Sequence, residues 1–95
     1  MPDAEERTDV VFVICAHRRR GVLSRIAGAF DRRGLAIRTL TAGATTESEL
    51  TRVVVSIDGP GGEGERVAAA LRNLIDVVSV ELSTVCDSDA VARVN

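Results

Sequence analysis

Apolar and polar positions along the chain fall into six short blocks. Val10-Val11-Phe12-Val13-Ile14-Cys15-Ala16 is a continuous run rich in β-branched residues, the pattern of a central strand buried on both faces. His17-Arg18-Arg19-Arg20 then reads as a polar loop. Val22, Leu23, Ile26, Ala27 and Phe30 recur at helical spacing, while Ser24, Arg25, Asp31 and Arg32 fall off that stripe. This predicts an amphipathic helix ending before Gly34 in a left-handed C-terminal cap. Leu35 to Thr41 reads as a second strand, with Leu35, Ile37 and Thr39 facing one way and Ala36, Arg38 and Leu40 the other. Residues 42–49 form a turn-rich connection to a third strand, Leu50 to Ile57, built around Val53-Val54-Val55. Asp58-Gly59-Pro60-Gly61-Gly62 is a strong breaker. A second helix follows from near Glu63, with Val67, Ala70, Leu71 and Leu74 inward. Val78, Val80 and Leu82 alternate with Ser79, Glu81 and Ser83, a fourth strand open to solvent on one face. Residues 1–8 are polar and expected to be disordered, residues 9–86 carry the domain, and residues 87–95 read as a polar tail.

The order strand, helix, strand, strand, helix, strand is the ferredoxin-like α+β arrangement. Right-handed crossovers place both helices on one face of a four-stranded antiparallel sheet. The first and third strands, the most apolar, become central, and the second and fourth become edges. The opposite sheet face then needs a cover, which pairing of edge strands or a partner protein would supply.

Composition narrows what such a domain does. The chain has 95 residues, which is one small domain. Aromatics are 2%, Phe12 and Phe30 alone, so it lacks the stacking platforms of single-stranded nucleic-acid binders. All 12 basic residues are Arg, which removes lysine-based chemistry. Net charge is -2, against general polyanion binding. The charge is uneven: residues 17–38 hold seven Arg against Asp31 alone, a local +6. The start is acidic and polar rather than a signal peptide, and no apolar stretch approaches a membrane span, so a cytoplasmic protein without membrane partners is expected. Two cysteines make no disulfide framework: Cys15 reads as a buried small hydrophobe and Cys86 lies near the tail.

Three functions that use this fold fit poorly. A metal-transfer domain needs two thiolates after the first strand, where this chain has Cys15-Ala16-His17-Arg18. An RNA-recognition motif needs aromatics on its central strands, and Thr51-Arg52-Val53-Val54-Val55-Ser56 has none. An acylphosphatase-like enzyme would use Arg18-Arg19-Arg20-Gly21 as a phosphoryl cradle. It also needs an Asn on the sheet, and the chain has only Asn73 and Asn95.

Three blocks carry a closer likeness: residues 21–37, from Gly21-Val22-Leu23 to Gly34-Leu35-Ala36-Ile37; Thr39 to Glu47 followed by Leu50-Thr51-Arg52; and Leu74-Ile75-Asp76-Val77-Val78-Ser79-Val80. Together they resemble the ACT domain of the small regulatory subunits of acetohydroxyacid (acetolactate) synthase, over about residues 9–85, in the short single-domain form. The resemblance implies a chain with no active site, cofactor or metal of its own, since the thiamine-dependent condensation of 2-keto acids takes place on a large catalytic subunit. It implies a homodimer joined through edge strands into one eight-stranded sheet, and an amino-acid effector, usually valine, at the dimer interface. The effector carboxylate would meet the backbone N–H groups of Gly21 and Val22, with Arg18, Arg20 and Leu23 nearby and Ala36 and Ile37 supplied by the neighbouring chain. A free-standing ACT-domain sensor serving another enzyme is the alternative.

The chain departs from the family around that pocket. Arg18 stands where Asn is usual, Arg20 where Pro is frequent, Ala36 where Asn is usual and Arg38 where Glu is usual. An amide bonds both the carboxylate and the ammonium of an amino acid, whereas an Arg only donates. Valine sensing is therefore expected to be weakened, lost or redirected to another anionic ligand. Simpler roles stand beside these: a solvated loop for Arg18-Arg19-Arg20, helix-end charge for Arg32 and Arg33, an edge guard for Arg38, and ordinary loop residues for His17 and Thr45-Thr46-Glu47-Ser48.

Overall fold

In the computed structural model, which describes residues 8–58 and 61–86, the order of elements is β1 (Thr8–His17), α1 (Val22–Arg32), β2 (Ile37–Ala44), β3 (Leu50–Asp58), α2 (Gly61–Arg72) and β4 (Val77–Cys86). The four strands form one sheet in the order β2-β3-β1-β4, with every neighbouring pair antiparallel. The expected ferredoxin-like plan is observed, with β1 and β3 central. β1 starts at Thr8, one residue before the expected domain start. The rest of the expected N-terminal segment and the tail from residue 87 lie outside the described residues, as do Gly59 and Pro60 of the breaker.

The core lies between the helices and one face of the sheet. On β1 every second residue, Val10, Phe12, Ile14 and Ala16, is almost wholly buried, and on β3 so are Val53, Val55 and Ile57. The β1 residues between them, Val11, Val13 and Cys15, are only half-buried, so the strand expected to be covered on both faces is covered fully on one. From α1 come Val22, Ile26, Ala29 and Phe30, and from α2 Val67, Ala68 and Leu71. Phe12 and Phe30 meet edge to face with ring centroids 4.9 Å apart, a geometry that adds to their burial. Of the expected helical stripe, Leu23 is exposed and Ala27 only half-buried, while Ala29, not placed on it, takes an inward place.

The sheet edges depart from strict alternation. In β2, Ile37 pairs with Ile57 and Thr39 with Ser56, so Arg38 is an extra residue on the β2 side. That bulge puts Ile37 and Leu40 on the same, core-facing side, where strict alternation put them on opposite sides. In β4 the register slips between Cys15 and Ala16 of β1, so Val77 packs against the core and Val78 is left 54% exposed. The helix α2 starts at Gly61, two residues before Glu63. Its Gly64 packs closely on the sheet: a Cβ there would stand 3.0 Å from Val10 Cγ1, so a side chain would have to press the Val10 methyl aside.

Candidate functional site

Three loops meet at one end of the domain: β1–α1, β2–β3 and α2–β4. Each is tied to the next by backbone bonds. The His17 N–H donates to the Asp76 carbonyl at 2.7 Å, and the Arg18 N–H to the Glu49 carbonyl at 2.8 Å. Inside the β1–α1 loop, Arg19 donates to the His17 carbonyl at 2.9 Å and Val22 to the Arg19 carbonyl at 3.1 Å. Gly21 is the N-cap of α1 at φ 82°, a left-handed conformation that disfavours any side chain. It offers no side-chain cap, so Leu23 and Ser24 begin the helix with N–H groups pointing outward and no preceding turn behind them.

The polar centre of this end is Asp76, which the sequence reading did not single out. It is 6% exposed. Its Oδ2 accepts a short hydrogen bond from Arg25 Nη2 on α1, and its Oδ1 lies 3.4 Å from Arg19 Nε on the β1–α1 loop. A buried carboxylate is stable only when charged donors replace its lost water. One acid set between Ile75 and Val77 at the start of a strand, opposite an Arg-rich loop, was the available signal. All four arginines are exposed, but they divide by partner: Arg19 and Arg25 pair with Asp76, and Arg18 and Arg20 do not.

A cavity of about 250 Å³ lies against the helix start, lined by Arg18, Arg19, Gly21, Val22, Leu23, Ser24 and Thr51. A wider depression of about 570 Å³ adjoins it between His17, Arg18, Arg19, Ser48 and Glu49. Arg18, Gly21, Val22 and Leu23 are therefore together, with Ser24, Ser48 and Thr51 as unforeseen neighbours. Arg20 lines neither hollow. The Val22 N–H, expected to meet a ligand, is already engaged by the Arg19 carbonyl, so the N–H groups facing outward are those of Leu23 and Ser24. Ala36 and Ile37 lie at the opposite end of the domain, lining a separate hollow of about 340 Å³ with Ala27, Gly28, Asp31 and Leu35. A single chain does not bring the two groups of residues together. The arrangement at the Gly21 end suits a small carboxylate, with outward N–H groups, the positive end of a helix and a free-standing guanidinium on Arg18. Among the described residues no group of three His, Cys, Asp or Glu side chains is placed to hold a metal ion, and no helix is long and apolar enough to cross a membrane.

Residues 12–79 match the family of AHAS (acetohydroxyacid synthase) small subunit-like ACT domains. A probable acetolactate synthase small subunit of Archaeoglobus fulgidus is 36% identical over 67 residues, covering 70% of this chain and 42% of that protein. The acetolactate synthase small subunit of Mycobacterium avium is 35% identical over 74 residues, covering 77% and 42%. Among solved structures, the acetolactate synthase small subunit of Thermotoga maritima superimposes with a TM-score of 0.72 at 27% identity, over 78% of this chain and 46% of that one. The ACT domain of the GTP pyrophosphokinase of Chlorobium tepidum, at 18% identity and a TM-score of 0.67, shares the fold. The chain spans less than half the length of the curated relatives it matches. The chain belongs to the family of AHAS small subunit-like ACT domains.

Proposed function

We propose that this chain is a non-catalytic regulatory small subunit of acetolactate synthase, acting in the cytoplasm on a large catalytic subunit that carries the thiamine-dependent chemistry. The observation that carries the reading is the match of residues 12–79 to the small-subunit family, joined to relatives named as such subunits. The pocket at the Gly21 end fits this reading in offering donors for a carboxylate.

The dimer of this reading forms through β2. Beyond Arg38 this edge strand reads Thr39-Leu40-Thr41-Ala42-Gly43-Ala44, with no charge to guard its unpaired backbone groups. In an antiparallel β2–β2 pairing, the start of one β2 lies beside the end of the other. Ala44 is at the Gly21 end of its own chain. The pairing thus carries Ala36 and Ile37 of one protomer to the Arg18–Leu23 pocket of its partner, which a single chain cannot do. The effector is a small carboxylate held by Arg18 and the helix start. With Arg18 and Ala36 in place of amides, the side-chain acceptors left in the pocket for an ammonium group are the hydroxyls of Ser24 and Thr51, beside an Arg18 charge that opposes it.

Calorimetric titration of the purified dimer with valine, leucine, isoleucine and the corresponding 2-keto acids tests the pocket. Weak or absent valine binding is expected, and micromolar valine binding overturns that part. Co-elution with the large acetolactate synthase subunit of the same organism tests the role. A complex with an unrelated enzyme instead would favour the free-standing sensor.

A further inference from the structure

The sheet face turned away from the helices is covered by no described element. Val11, Val13 and Cys15 of β1 point there and are half-buried, as is Val54 of β3. Between the registers of Val11 and Cys15 this face holds only two charges, Arg52 on β3 and Glu81 on β4. Its other positions are Ser, Thr and Gly, so only those two side chains are larger than valine. Thr39 and Ser56 share a hydroxyl hydrogen bond of 2.6 Å, which lowers the cost of taking them out of water. An apolar centre with few charges is the make-up of an interface core, and side chains this small suit the packing of one sheet on another.

The two charges decide which partner fits. β1 lies between β3 and β4, with Cys15 opposite Arg52 and Val13 opposite Glu81. Arg52 and Glu81 therefore flank β1 on opposite sides, with roughly 12 Å between their Cα atoms from strand spacing and rise. Both are exposed, and both line a hollow of about 310 Å³ over Val13 and Cys15. No ion pair joins them or ties either one to another described residue. Consider a twofold axis lying between two stacked sheets and crossing β1 between Val13 and Cys15. It sets Arg52 of one copy on Glu81 of the other and repeats the pair in reverse. An isologous contact demands this self-complementarity, and one positive and one negative group on either side of an apolar centre supply it. The area suffices: four strands, the shortest of eight residues, span roughly 500 Å², so two faces reach the roughly 1,000 Å² of a specific interface.

We propose that the open sheet face is a self-association surface for a second copy of this chain, stacked sheet on sheet and held by reciprocal Arg52–Glu81 pairs around Val13 and Cys15. Each Arg52 reaches into the hollow beside the other copy's Glu81. The contact lies on a different surface from the β2 edge, leaves that edge free to pair, and does not depend on the role proposed above.

Sedimentation velocity over a concentration series tests this with wild type, Arg52→Glu, Glu81→Arg and the swapped double variant Arg52→Glu/Glu81→Arg. Wild type should assemble as concentration rises. Each single reversal sets like charges against each other and should weaken that assembly by about tenfold or more, and the swap should restore it to within about threefold of wild type. β1 separates the two side chains within one chain, so the rescue reports contact between copies. Glu81→Gln keeps the shape, removes one charge and should weaken assembly by a smaller factor, which keeps the test decisive where a reversal disturbs folding. Assembly that the single reversals leave unchanged overturns the proposal and leaves β2 pairing as its source. A swap no better than the single reversals, or a wild type that stays monomeric, overturns it as well and gives the face to a different occupant.

Discussion

The two ends of α1 solve the same chemical problem in opposite ways. At its C-terminus the helix closes on itself. Gly34 at φ 72° lets its own N–H reach the Asp31 carbonyl at 3.0 Å and the Leu35 N–H reach Phe30 at 3.0 Å, and Leu35 packs on the core. That is a complete Schellman closure. At its N-terminus Gly21 has a similar conformation, but no side chain caps the helix. The order there comes from outside, through Asp76 and the neighbouring loops. A self-sufficient helix end only stops a helix. An end held by three separate loops leaves donors pointing outward and makes their position depend on the rest of the fold, which is what a ligand pocket requires.

Substitutions break or sharpen this contrast. The largest effect belongs to the shared core. Phe30→Ala loses both the stack on Phe12 and a fully buried ring, and is expected to cost about 3–5 kcal/mol in chemical denaturation. For a domain of this size that leaves little native population. Next comes the externally held end. Asp76→Ala removes a buried carboxylate bonded to Arg25 and Arg19, and should cost about 1.5–3 kcal/mol, the lower part of that range because Arg25 is half exposed and solvent compensates. A loss below about 0.5 kcal/mol, the level of an ordinary surface substitution, would show the cluster to be ornamental.

The two glycines give the sharper test. Gly34→Ala meets open space, so only the left-handed backbone opposes it, about 1–2 kcal/mol. Gly21→Ala carries the same backbone cost and also sets its Cβ 3.3 Å from Arg25 Nη1, the guanidinium that binds Asp76. Thermal unfolding should therefore find Gly21→Ala the more damaging of the pair, and Asp76→Ala should erase the difference. Equal costs in the wild-type background would mean that Arg25 moves aside freely. The smallest effect is that of Ile75→Ser, within about 0.5 kcal/mol, because the side chain is in water before and after the change.

The sequence was most informative where periodicity and burial coincide. The six elements, the central placement of β1 and β3 and the left-handed Gly34 all follow from apolar spacing and turn chemistry, and all are observed. The errors cluster at edges. The bulge at Arg38 and the slip that exposes Val78 come from pairing with neighbouring strands, which one strand's own pattern does not reveal. Gly64 was invisible because its contact with Val10 joins elements far apart in the chain. Arg18, Gly21, Val22 and Leu23, named from the family resemblance, line one hollow. The role of Asp76 was not legible, since an isolated acid acquires its meaning only when folding sets Arg19 and Arg25 against it. The distance between Ala36 and Gly21 was also hidden, because it is set by strand direction rather than by residue type.

This domain is proposed to act on a catalytic partner rather than to perform chemistry itself. The most direct measurement is acetolactate formation by the large subunit of the same organism, titrated with this chain. A saturable change in rate that reaches a plateau at a fixed stoichiometry is expected, with no acetolactate formed by this chain alone. A rate indifferent to the chain at concentrations well above those of the large subunit would contradict it.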